Sequence, residues 1–170
     1  MHKTLFLALI FFYHSSLLAY ESEDKLKAVI IGKVAKFVKW KDRKNDNFVI
    51  TIMNNPYGQL FDEIFDGKKI QKRDVELKYI DDIDKLSDTN ILYIPASNSK
   101  NLNKILEKIN GKNILTISDI RGFAEKKGIV QVYFSSQKIK LKINLDIAKE
   151  DDLKISSALL RVATVIRESE

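Results

Sequence analysis

The sequence predicts an α/β fold with a mixed, mostly parallel sheet, closed by a β-hairpin and a terminal helix. Three observations carry this. From Glu23 to Ile117, short apolar runs rich in β-branched residues alternate with stretches of helical period, the rhythm of βαβ units. After Gly128 the pattern changes to two strands in quick succession, the second alternating apolar and basic residues. The apolar fraction of 45% and charged fraction of 31% are those of a globular chain.

The elements follow in order. Glu23 to Trp40 reads as a helix with Leu26, Ile30, Val34, Phe37 and Val38 on one side and Lys25, Lys33, Lys36 and Lys39 on the other. Such a helix docks on its own sheet, or lies on a membrane or a partner helix. Phe48 to Met53 is a buried strand, broken by Asn54-Asn55-Pro56-Tyr57-Gly58. A short helix from Gln59 to Phe65 leads through the Asp66-Gly67 turn and the basic connection Lys68–Arg73 to a second strand, Val75–Ile80.

Asn90 to Ile94 is a third strand, stopped by Pro95. Ser97 or Ser99 can cap the next helix, which places Leu102, Ile105, Leu106 and Ile109 on one face and ends at Gly111. Asn113 to Ile117 is a fourth strand. Gly128–Phe134 and Lys138–Leu145, joined by Ser135-Ser136-Gln137, form the hairpin. In its second strand Ile139, Leu141, Ile143 and Leu145 alternate with Lys138, Lys140, Lys142 and Asn144, so lysines line the wet face. A final helix, Ser157–Ile166, starts after Ser156 as its cap and buries Leu159, Leu160, Val162 and Val165.

The first residues read as an export signal. Met1-His2-Lys3 is a short basic start, Thr4–Tyr13 an apolar run, and Ala19 a small residue at the exit. The run is too short for a membrane-spanning helix, which needs about 20 apolar residues. Residues 1–19 are therefore expected to be a signal peptide, with 20–170 a single domain in the periplasm.

That cut has a chemical consequence. The chain has no cysteine, and its two histidines, His2 and His14, both lie in the segment to be removed. A Ser-His-Asp or Cys-His centre, a thiol redox pair and a zinc site of nitrogen and sulfur ligands are thereby excluded. No metal and no cofactor is expected, and the chain reads as a non-enzyme. The dense acidic spots, Asp81-Asp82-Ile83-Asp84 and Glu150-Asp151-Asp152, lack the alternation and central glycine of a calcium loop and read as helix-start and loop charges. The net charge of +6 is spread among interspersed acids without an aromatic stripe. It suits an acidic partner or lipid surface, not nucleic acid.

One loop stands where a pocket belongs. Ser118-Asp119-Ile120-Arg121-Gly122-Phe123 follows the fourth strand, and open α/β sheets bind ligands beyond the carboxyl ends of their strands. Ser118, Asp119, Gly122 and Phe123 are accordingly candidate ligand- or partner-facing residues. Asn144, Ser156 and Ser157 either converge on this loop or satisfy turn backbone.

The order and spacing of several segments resemble the YfiR family of periplasmic proteins. They are Lys27-Ala28, the Ala35–Trp40 helix end, Asn55-Pro56-Tyr57-Gly58, Ile91–Ile94, Ile114–Asp119 with Gly122-Phe123-Ala124, Ile143-Asn144 and Ile155–Leu160. The resemblance implies a three-layer sandwich, a homodimer and no enzymatic activity. It also implies a role: restraint of a membrane-bound diguanylate cyclase through its periplasmic sensing domain, lowering cyclic di-GMP and biofilm formation. The chain departs from the family's pattern twice. It lacks the disulfide-forming cysteines that members often carry, and the double glycine before the hairpin reads Lys127-Gly128. A periplasmic module binding a small ligand, without a cyclase target, is the alternative reading.

Overall fold

The computed structural model describes residues 23–41, 46–136 and 138–167; the expected signal peptide lies outside them. Helix α1 covers 23–35, and the chain then turns instead of continuing to Trp40. Val38–Trp40 is strand β1, paired antiparallel with Leu153–Ile155 (β9). The side-chain amide of Gln71 explains the stop. It donates to the carbonyl of Ala35 (2.9 Å), a group that the helix end leaves unpaired, and to that of Val38 (2.7 Å) at the start of β1.

The buried face of α1 also differs from expectation. Ala28, Ile31, Val34 and Ala35 are buried, whereas Leu26 and Phe37 remain 46% and 41% exposed. Small residues seat this helix. A Cβ on Gly32 would stand 2.9 Å from the Phe65 ring, so close approach, not side-chain bulk, selects the face.

All six residues of β2 (Phe48–Met53) are buried. Helix α2 (Leu60–Phe65) buries Phe61 and Phe65. The expected basic connection is a tight hairpin, β3 (Lys69–Ile70) against the start of β4 (Arg73–Ile80). Its turn residues Gln71 and Lys72 both have positive φ (51° and 67°), which matches the right-handed twist of the strands. Strand β5 is Ile91–Ile94. Neither Ser97 nor Ser99 caps the next helix. Pro95 holds the cap position of a 3₁₀ turn, Ala96–Asn101, which runs into α3 (Leu102–Ile109) without a side-chain cap.

Strand β6 is Leu115–Ser118, and β7 (Val130–Ser135) and β8 (Lys138–Asn144) form the expected antiparallel hairpin. Beyond it the chain departs from the expected pattern. Asn144 ends the strand and caps a short helix, α4 (Leu145–Glu150), by accepting from the Ile147 amide at 3.1 Å. After β9, Ser156 caps α5 by accepting from the Ala158 amide, but α5 is only Ser157–Leu160. Thr164–Ile166 is strand β10, parallel to β8, where a helix was expected. Thr164, Val165 and Ile166 are all β-branched, so an extended backbone suits them once a sheet edge is within reach.

The eight-stranded sheet runs β10-β8-β7-β6-β5-β2-β4-β3 and is parallel from β4 to β7. Its two faces carry separate cores. Ile91 and Tyr93 join α1, α2 and α4 on one face; Leu92 and Ile94 join α3 and Phe123 on the other. This is the three-layer α/β sandwich. Between β2 and β5 the order reverses: the chain leaves β2 towards β4 over the first face, and leaves β5 towards β6 over the second.

Candidate functional site

Five side chains meet near the carboxyl ends of β5 and β6. Asp24 and Lys27 come from α1, Tyr57 from the loop after β2, Tyr93 from β5 and Asp119 from the residue after β6. The Lys27 ammonium donates to Asp119 Oδ2 at 3.1 Å and lies 3.6 Å from Asp24. The Tyr57 hydroxyl is 3.5 Å from the same Asp119 oxygen and 2.9 Å from the Tyr93 hydroxyl. Tyr57 has one proton to give. If it points to Asp119, Tyr93 must donate to Tyr57, so the donors run Tyr93 to Tyr57 to Asp119.

Burial sets the electrostatics. Tyr57 is pushed up to about 12, chiefly by desolvation and further by the Asp119 charge. Tyr93 is driven higher still by burial, then by Asp119, so both phenols are un-ionised donors. Burial raises Asp24 above the usual carboxylate range, against the pull of Lys27. Burial alone would lower the Lys27 ammonium; Tyr57, Asp119 and Asp24 outweigh it and leave it raised. The second carboxylate oxygen, Asp119 Oδ1, is enclosed and accepts no hydrogen bond among the described residues. The assembly fixes α1 across the strand ends with one ion pair and two phenols.

The other candidates have backbone duties. Ser118 Oγ accepts from the Ile120 amide at 2.9 Å. Gly122 takes φ 76° at the turn, and Phe123 is fully buried in the second core. Asn144 caps α4 and donates to the Ala124 carbonyl at 3.0 Å, so it does converge on this loop, through its backbone. Ser156 caps α5, and Ser157 is exposed in its first turn.

Lys27, Tyr57, Tyr93 and Asp24 were not foreseen. The spacing of Asp24 and Lys27 with Ala28 and Ile31 was a usable signal, because it places two charges beside the buried face of α1.

The residues that follow this loop, Glu125, Lys126 and Lys127, border an opening. A groove of about 550 Å³ lies between α3 and α4, with Leu106 and Ile147 as apolar groups, Glu107 and Glu150 as acids, and Lys126 and Lys127 as bases. Among the described residues no group of three or more His, Cys, Asp or Glu side chains is arranged to hold a metal ion.

The YfiR/HmsC-like family model matches residues 24–164, from the first residue of this cluster to the start of β10. The chain belongs to the YfiR/HmsC-like family. No curated protein matches it. The family's proteins are regulators, and the Lys27–Asp119 cluster lies wholly within the matched span.

Proposed function

We propose that the chain is an exported periplasmic regulator, without enzymatic activity, that binds the periplasmic domain of a membrane-bound diguanylate cyclase and restrains it. The observation that carries this reading is family membership across 24–164. Binding lowers cyclic di-GMP and biofilm formation, and the protein acts as a homodimer.

The surface of α1 supports it. Leu26 on α1 and Phe37 in the turn that follows it are both exposed, and each is next to an exposed lysine, Lys25 and Lys36. Apolar anchors ringed by cations suit a partner domain standing on an acidic membrane.

Deleting the gene and measuring cyclic di-GMP tests the reading. The nucleotide and biofilm should rise, and a membrane cyclase should be recovered by crosslinking. Complementation with Leu26→Asp/Phe37→Asp should fail although the protein accumulates normally. Unchanged nucleotide in the deletion strain, with no cyclase crosslinked, overturns it.

A further inference from the structure

The outward face of the β1–β9 ribbon carries like charges set against each other. In an antiparallel pair, residues directly opposite share a face, with their Cβ atoms about 4.5–5.5 Å apart. Val38 and Leu153 point inward and are buried. Lys39 stands directly opposite Lys154, and both are exposed.

The neighbouring rungs show what this one lacks. The same register sets Lys41 opposite Asp152, and these opposite charges meet at 3.4 Å. At the other end the Ser156 amide donates to the Phe37 carbonyl at 2.8 Å, which sets Phe37 opposite Ser156. Phe37 is 41% exposed and follows Lys36, a further exposed cation. Neither Lys39 nor Lys154 makes an ion pair among the described residues, and the Asp152 carboxylate of the adjoining rung is held by Lys41. Like charges directly opposite destabilise a ribbon. An anionic layer against both lysines removes that repulsion as well as adding its own attraction.

Shape and composition decide the kind of anion. The outer face of a two-stranded ribbon has no walls to enclose a small ion. Its cations are lysines, point charges on flexible stems, whereas a single fixed carboxylate or phosphate favours the planar fork of arginine. Lysines beside an exposed aromatic ring are the composition of surfaces that lie on anionic lipid.

We propose that this face docks on an anionic phospholipid surface, with the Lys39 and Lys154 ammonium groups among the headgroup phosphates. Phe37 stands at its border with α1. Docking of this kind needs no partner protein and does not rest on the cyclase reading.

Co-sedimentation with vesicles tests it, using the chain from Tyr20 onward, the form that export is expected to leave. Vesicles of phosphatidylglycerol and phosphatidylethanolamine should retain the protein, and vesicles of phosphatidylcholine alone should not. Salt at about 1 M, where screening acts within about 3 Å, should release it. Lys39→Gln and Lys154→Gln should each weaken partitioning about fivefold, and Lys154→Glu about 25-fold. Lys154→Glu should also raise the melting temperature, because it sets opposite charges across the rung, so its lost binding is not lost folding. The double variant Lys138→Gln/Lys140→Gln, at exposed lysines of β8, should bind as wild type. Equal retention on neutral vesicles, no retention on anionic ones, or undiminished binding by Lys154→Glu overturns the proposal. An equal loss in the β8 variant does so too, since it would reflect the charge of the whole chain. If lipid is ignored while Lys154→Glu loses its crosslinks to a membrane protein, the face is a protein interface and the lipid proposal falls. Cyclic di-GMP in the deletion strain decides the cyclase reading separately.

Discussion

The ammonium of Lys27 and the carboxylate of Asp119, 92 residues apart in the chain, meet at 3.1 Å with only 18% and 12% of their side chains exposed. The pair fastens the N-terminal half of α1 to the end of the central sheet. Ion pairs on the surface contribute little, but removing one member of a sheltered pair leaves the other desolvated and alone.

Lys27→Met is therefore expected to destabilise the fold by about 2–4 kcal/mol, a range near the cost of breaking a buried pair. It strands two carboxylates, Asp24 and Asp119, beside each other. Asp119→Asn should cost less, because Lys27 retains Asp24 at 3.6 Å and the amide oxygen still accepts from Lys27. The double variant should cost less than the sum of the two. Urea denaturation of the three proteins measures this; strict additivity would mean that the two groups are not coupled.

Much of the central sheet was legible because β2, β5 and β6 are local apolar runs between breakers, and β4 alternates apolar Val75, Leu77 and Tyr79 with charged Glu76 and Lys78. The hidden features depend on distant partners. Strand β1 exists because β9 pairs with it, and α1 stops where Gln71, 36 residues on from Ala35, reaches its carbonyls. Thr164–Ile166 has an apolar spacing compatible with helix or strand, and only the free edge of β8 decides. The site was legible in one residue. Asp119 could be placed beyond a strand end, but its partners come from α1, from the loop after β2 and from β5, with no shared sequence spacing.

The turn before the hairpin offers a second prediction. Lys127 has φ 68°, a left-handed backbone that disfavours side chains, at a place where the resembling family carries the first of two glycines. Gly128 is required for another reason: an added Cβ would fall 2.2 Å from the ring of Phe123, which is itself fully buried. Lys127→Gly is expected to stabilise the protein by about 0.5–1 kcal/mol, relief of backbone strain exceeding the added unfolded-state freedom. Gly128→Ala should destabilise it by about 3 kcal/mol, at the upper end for overpacking. Thermal unfolding of the two variants should thus shift in opposite directions from adjacent positions.

The last prediction concerns pH. Asp151 is 5% exposed at the end of α4, and its carboxylate accepts from the Gly111 amide at 2.7 Å. Burial pushes it up to about 6, with Glu150 adding repulsion and the Gly111 bond opposing the rise. A carboxyl raised in the folded state binds its proton more tightly there than in the unfolded chain. Its favourable contribution is therefore complete below its ordinary value of 3.8 and is lost as pH rises through about 6. Asp151→Asn keeps an acceptor for the Gly111 amide and cannot ionise. The melting temperature of the variant relative to wild type should rise as pH increases from 4 to 7, with the change centred between the two values and flat above. Measuring both proteins across that range removes the contribution of every other acid, since those titrate alike in each. A difference that stays constant with pH would mean that Asp151 ionises as freely in the fold as outside it.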